Sequence, residues 1–276
     1  MKYVIYRIKR RIKEKTHMKL NVESVRLVLE RIAVRGEDDG ERFVDSSRVD
    51  AIADCLADSD WSLYEDGCLA KIYAHKDFDP QKPVVVVSSH VDMVAEQCYA
   101  ESNGEMWKGS FDNLITNAIV VACMKNGLFT ANTLVAFTGD EECDSGGADE
   151  VAEFLVEKYI KVKLVAVTDV TDEGWLEGKH FTIENILPED DARTQRRMEA
   201  LLKSAVADID PQPCVVVEGE PDEAWEYDEF DLPCCSVCMP CLGDMHSEEG
   251  VEIRSAALVP YAQALVAIVA AFLKGL

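Results

Sequence analysis

Three segments of this chain are apolar at successive positions, without the alternation of a half-exposed strand: PVVVVSSHVD (83–92), TLVAFTGDEE (133–142) and KLVAVTDVT (163–171). Such runs mark strands buried on both faces, as happens in largely parallel sheets covered by helices. Between them lie two stretches of helical period. One is DNLITNAIVVACMKNG (112–127), with Asp112 near its start and Gly127 just past its end; the other is GADEVAEFLVEKY (147–159). Strand and helix thus alternate. The fold class this predicts is α/β: a three-layer sandwich with a mostly parallel central sheet and helices on both faces.

Helical spacing also recurs over Val22 to Val34 and over Ser46 to Leu56, the latter with Asp45 or Ser46 placed to cap it. Trp61 to His75 reads as a hairpin turning at Glu65-Asp66-Gly67. ARTQRRMEALLKSAV (192–206) reads as a helix, CVVVEG (214–219) as a short strand and PCCSVCMPCLG (233–243) as a strand of small apolar residues. The acidic segment 218–231, which carries Trp225 and Tyr227, is expected to be a loop beside the site, with both aromatics as candidates for lining a pocket. The apolar C-terminal stretch contains Pro260 and Gln263, and its uninterrupted part (264–273) is far short of the ~20 residues that span a bilayer. It is expected to pack on the sheet as a helix.

Residues 1–17 are strongly basic, against the trend of the rest. No apolar stretch follows them as it would in a signal peptide. Met18 serves equally well as a natural start, which makes 1–17 a basic extension and 18–276 a single domain. The net charge of −24 repels nucleic acid and anionic lipid, so neither is an expected partner. Ten irregularly spaced cysteines, many inside apolar runs, suit small buried side chains in a reducing cytoplasm better than disulfides.

The polar residues at the ends of the apolar runs are the unusual feature. His90 and Asp92 close the first strand, Glu141 and Glu142 the second, Asp169 the third, and His246 follows the last. Ligands of open α/β sheets bind outside the carboxyl ends of the strands. Singly, each of these residues suits a helix cap or a solvated charge. Together they place imidazole and carboxylate at one edge from four strands. Two histidines and three carboxylates suffice for two divalent ions with one carboxylate shared. Zinc is the first choice, although the same ligands accept manganese or cobalt. Of two adjacent glutamates, one can bind metal while its neighbour serves as a general base.

The ordered motifs HVD, GSFDN, TGDEE, TDVT and GDMHSEEGVEI resemble those of the co-catalytic zinc exopeptidases, the broad clan of aminopeptidases, carboxypeptidases and aminoacylases. DMHSEEGVEI is most similar to the glutamyl-aminopeptidase type and GSFDN to the bacterial leucyl aminopeptidases. The resemblance implies the zinc-exopeptidase fold, two divalent metal ions and a peptide or acyl-amino acid substrate. By that resemblance His90 and Asp169 each bind one ion, Asp112 bridges, and Glu142 and His246 complete the second. Glu141 is the base that deprotonates the bridging water, and Asp92 orients His90 from behind. An aminopeptidase is expected first. An N-acyl amino acid deacylase or carboxypeptidase of the same clan is the alternative, and a catalytically inactive metal-binding relative the second.

The chain departs from the clan in three ways. Only 21 residues (91–111) separate His90 from Asp112, and 76 (170–245) separate Asp169 from His246, so a dimerisation or lid insert is not expected. Cys143-Asp144 follows the glutamate pair, where a small or apolar residue is more usual, and Leu114-Ile115-Thr116 stands in the Asp112 segment, where a small, Gly-containing turn is usual. These changes leave substrate preference and oligomeric state open. A competing motif, Cys235-x-x-Cys238-x-x-Cys241, superficially suits an iron–sulfur cluster or zinc knuckle. Its strand-like context favours core packing instead.

Overall fold

A computed structural model describes residues 20–34, 44, 46–95, 98–188, 191–209, 211–217 and 219–275. The basic extension 1–17 and Asp45 lie outside them. The chain begins with helices α1 (Val22–Ile32) and α2 (Ser47–Leu56), whose N-caps Asn21 and Ser46 accept from Ser24 N and Val49 N. The hairpin β1 (Trp61–Asp66) and β2 (Ala70–His75) follows. Next come β3 (Val84–His90), the short strands β4 (Ala100–Ser102) and β5 (Met106–Gly109), α3 (Leu114–Lys125), β6 (Thr133–Thr138), α4 (Gly146–Glu157) and β7 (Val162–Thr171). The last third holds β8 (Thr182–Leu187), α5 (Ala192–Ala205), β9 (Cys214–Val215), α6 (Ala224–Glu229), β10 (Cys234–Pro240), β11 (Leu242–Gly243), β12 (Val251–Arg254) and α7 (Leu258–Lys274).

Eight strands form the main sheet in the order β1-β2-β6-β3-β7-β10-β8-β9. The four central ones, β6, β3, β7 and β10, are parallel, and antiparallel β2 and β8 flank them. Successive residues of each central strand feed opposite cores. Val85, Val87, Phe137, Leu164 and Val237 pack with α1, α2, α3, α5 and α7. Val84, Val86, Leu134, Ala136, Val165 and Val167 pack with α4 and α6. This is the three-layer sandwich expected, and it explains why the runs are apolar throughout. Helix α7 buries Leu258, Tyr261, Leu265, Ile268 and Phe272, and Tyr261 donates to the Val237 carbonyl of β10 at 2.7 Å.

Three features differ from the expectations. A second sheet, β11-β12-β5-β4, forms from strands of two to four residues, and the 91–111 connection supplies half of it. The strand expected over 214–219 is confined to Cys214–Val215. The acidic segment holds a short helix rather than a loop throughout, because Ala224 and Tyr227 face the core on one side of a single turn and a half.

Gly147 shows how tightly the layers approach near the strand ends. A Cβ there would lie 2.4 Å from the Gly139 carbonyl oxygen and 2.7 Å from that of Leu69, both backbone atoms. Gly147→Ala is expected to cost about 1–3 kcal/mol through overpacking, read as a lower urea midpoint. An unchanged midpoint would contradict the close contact.

Candidate metal centre

The carboxyl ends of the parallel strands gather the expected residues. His90 is the last residue of β3, and its register partner is Thr138 of β6. Glu141 and Glu142 follow β6 in a turn that Asp140 enters with φ of 65°, its carbonyl accepting from Asp144 N and Ser145 N. Asp169 lies on β7, and its neighbours Val165 and Val167 share the α4/α6 core with Val84 and Val86 of β3, so the alternation carries His90 and Asp169 to the same face. Asp112 enters from the other direction, between β5 and α3, and His246 from the turn between β11 and β12.

His90 Nε2 lies 3.1 Å from Asp112 Oδ1 and 3.5 Å from Asp169 Oδ1. His246 Nε2 lies 3.5 Å from Asp112 Oδ2 and 3.4 Å from Glu142 Oε2. Asp112 therefore presents one oxygen to each histidine. Two donor groups result, His90–Asp112–Asp169 and Asp112–Glu142–His246, each with ligand atoms within 4.8 Å of one another. A third group of the same compactness, His90–Glu141–Glu142, brings in Glu141. Asp92 stands behind: its Oδ1 is 3.5 Å from His90 Nδ1, and its Oδ2 accepts from Glu142 N at 3.2 Å. All seven expected residues thus meet in one place.

The centre is asymmetric in exposure. His90 is 1% exposed, whereas the side chain of His246 is 58% exposed. His246 is therefore the histidine that the centre presents to solvent.

Its electrostatics favour positive charge. Burial opposes ionisation of His90, yet Glu141, Asp112, Asp169 and Asp92 together raise it well above an ordinary imidazole. The hydrogen bond to Asp112, with Glu142 nearby, lifts His246 to about 9. Burial raises Asp112, but both histidines outweigh it and hold the carboxyl below its usual range. Burial, reinforced by the Asp112 charge, pushes Glu142 up to about 8, and burial likewise takes Asp169 to about 7. Glu141 is raised by burial and by Asp112, Asp92 and Asp222. Both nitrogens of His90 and Oε1 of Glu142 are buried without a hydrogen bond. Imidazole and carboxylate in these two compact groups fit divalent transition-metal ions.

A pH dependence follows from these shifts. A carboxyl whose folded pKa is raised binds more protons folded than unfolded, so it favours folding below its unfolded value and loses that contribution as pH climbs through the folded one. For Glu142 that window runs from about 4.5 to about 8. Chelator-treated protein is therefore expected to lose stability from pH 5 to pH 8 in urea titrations. Added zinc should flatten the slope, and a metal-free protein most stable at pH 8 would contradict the clustering.

The groups that hold the centre in place lie outside the motifs. Asn117 Nδ2 donates to the His90 carbonyl at 2.8 Å, and Asn113 Nδ2 to the Thr168 carbonyl at 2.5 Å. Helix α3 thus ties down the two strands that carry His90 and Asp169. Glu223, at the start of α6, is 1% exposed; it accepts from Ser88 Oγ at 3.1 Å, and burial raises it to about 8. Tyr227, expected to line a pocket, is instead wholly buried, with its hydroxyl 2.9 Å from Ser88 Oγ. It supports β3 from beneath, because the turn of α6 points it into the sheet. Trp225 is half-buried and packs against the same core. Asparagines and a buried glutamate carry no periodic signal, so nothing local could have singled them out.

The cysteine motif does not converge. Cys235 and Cys241 face the α1/α3/α7 core, while alternation turns Cys238, the register partner of Asp169, to the other side. None of the ten cysteines is in a disulfide.

No family model matches this sequence, and no curated protein does. Solved structures do. The LapA aminopeptidase of Legionella pneumophila is 13% identical with a TM-score of 0.65, over 97% of this chain and 76% of LapA. Aminopeptidase PepT of Bacillus cereus is 12% identical with a TM-score of 0.67, over 92% of this chain and 99% of PepT. A glutaminyl cyclase of Macrostomum lignano is 11% identical with a TM-score of 0.67, over 95% of this chain and 92% of the cyclase. The chain therefore has the zinc-exopeptidase fold that its motifs resemble.

Proposed function

We propose that this protein is a dinuclear metal-dependent exopeptidase, an aminopeptidase in the first instance, that hydrolyses the terminal peptide bond of a peptide. The observation that carries this reading is the position of Asp112, common to the His90–Asp169 and the His246–Glu142 groups, with Glu141 against both. His90, Asp112 and Asp169 would hold one ion and Asp112, Glu142 and His246 the other. Zinc suits this donor set of imidazole and carboxylate. Bound there, such ions polarise a scissile carbonyl and lower the pKa of water toward ~7.

The chain's own groups do the rest. Glu141 takes the proton from the attacking water and returns it to the leaving amine. Its raised pKa, caused first by burial, brings it nearer the working pH, where proton transfer in both directions is efficient. Asp92 orients the His90 ring and, through Glu142 N, the peptide that carries the second glutamate. The irregular spacing of the cysteines, many of them inside apolar runs, suits a reducing compartment such as the cytoplasm.

Metal analysis coupled to a substrate panel tests the reading. Purified protein should carry close to two transition-metal ions per chain and release N-terminal amino acids from mixed peptides. Release only from N-acyl amino acids, or from C-termini, would move the assignment to a deacylase or carboxypeptidase. Ammonia from an N-terminal glutaminyl peptide, with no amino acid, would favour a cyclase. Full metal content with no turnover would favour an inactive relative, and less than one ion per chain would overturn the metal assignment itself.

A further inference from the structure

Arg48 is the largest fully buried side chain among the described residues, at 0% exposure. It is the second residue of α2, at the helix end where the dipole disfavours a cation. Burying a guanidinium is costly, so what it touches is informative. Nη1 donates to the Val91 carbonyl at 2.5 Å, and Nη2 lies 2.8 Å from Met93 Sδ and 3.5 Å from Cys98 Sγ. Val91, Met93 and Cys98, all beyond the end of β3, thus meet the guanidinium.

Val91 is the residue between His90 and Asp92. Its carbonyl is held by Arg48, and its N–H donates to the Thr138 carbonyl of β6 at 2.7 Å. Hydrogen bonds on both sides of this residue restrain rotation of the chain between His90 and Asp92. That constraint sets the approach of Asp92 to His90 Nδ1 (3.5 Å) and to Glu142 N (3.2 Å). One of those contacts orients a donor of the first group, and the other a donor of the second.

We infer that Arg48 is a positioning residue for the metal centre: by gripping the Val91 carbonyl from α2, it aims Asp92 at His90 and at the backbone of Glu142. The inference rests on the proposed reading that these residues hold metal. Its consequence is that a residue of α2, through its grip on the Val91 carbonyl, controls metal affinity at both positions.

The test uses the full chain with zinc and with cobalt. Arg48→Met removes the donor at similar length, and Arg48→Lys retains one. Zinc affinity is measured by competition with a chromophoric chelator, and ligand geometry by the visible spectrum of the cobalt-loaded protein. Arg48→Met is expected to weaken zinc by about 10–100-fold, the range typical of groups that orient ligands, and to shift the cobalt bands, with Arg48→Lys intermediate. In an Asp92→Asn background the further loss from Arg48→Met should largely vanish, because both act through one contact. A purely stabilising role would lower the melting temperature of the metal-free protein while leaving affinity and cobalt spectrum unchanged. That result, or additivity with Asp92→Asn, overturns the inference. Should Arg48→Met not fold, Arg48→Lys alone and in the Asp92→Asn background decides by the same readouts. A wild type that takes up neither metal overturns the underlying reading and this inference together. A wild type that binds metal beside variants of equal affinity overturns this inference alone.

Discussion

Glu141→Gln is expected to keep the metal content of the wild type and to lose turnover by about 10²–10⁴-fold, the usual contribution of a general base. Glutamine has the shape of glutamate and no proton affinity at the carbonyl. The donor groups His90–Asp112–Asp169 and Asp112–Glu142–His246 do not contain Glu141, so their affinity should persist. The loss should fall on kcat with KM little changed, since a base acts in the transition state rather than in substrate binding. The wild-type pH profile should rise on an acid limb set by Glu141, which burial raises above an ordinary glutamate. A variant that loses metal and activity together would make Glu141 a ligand. One that retains activity would remove it from the chemistry.

Asp112→Ala is expected to empty both positions at once. Its two oxygens face different histidines, Oδ1 toward His90 at 3.1 Å and Oδ2 toward His246 at 3.5 Å. Removing it leaves two donors on each side, His90 with Asp169 and Glu142 with His246. Structural zinc wants about four ligands and catalytic zinc about three from protein. Metal content should therefore fall from near two ions to below one, with activity lost to the detection limit. By contrast, Asp169→Ala touches one group alone and should leave one ion. Equal, partial losses in the two variants would show that Asp112 is not shared. The histidines report the same change without metal. Asp112 is the leading cause of the rise of His246 to about 9. Proton NMR of the chelated variant should find that imidazole titrating closer to 6.5.

Much of this centre was legible in the chain because its residues sit where periodicity breaks. An apolar run such as VVVV ending in SSHVD announces a buried strand and its exit, and the exits of parallel strands share one edge. His90, Glu141, Glu142, Asp169 and His246 were accessible on that ground alone, while Asp112 and the division of all six into ligands and base came from resemblance. The short sheet was not accessible. Its strands hold two to four residues, too few for a period, and pairings such as Arg254 with Met106 join distant parts of the chain. Tyr227 shows the same limit: a loop and a single helical turn look alike in an acidic segment until the hydroxyl of Ser88, 139 positions away, supplies a partner.

Local pattern therefore determined the layers, the parallel strands and the candidate donors, since burial on two faces and the alternation of strand with helix are written in neighbouring residues. Tertiary structure alone decided how the donors divide. It turned each oxygen of Asp112 to a different histidine, sent Cys238 away from Cys235 and Cys241, and brought Arg48 under Val91 from 43 positions earlier. The physical reason is range. Packing and hydrogen bonds between elements depend on where the chain returns, and no residue's neighbours in sequence encode that.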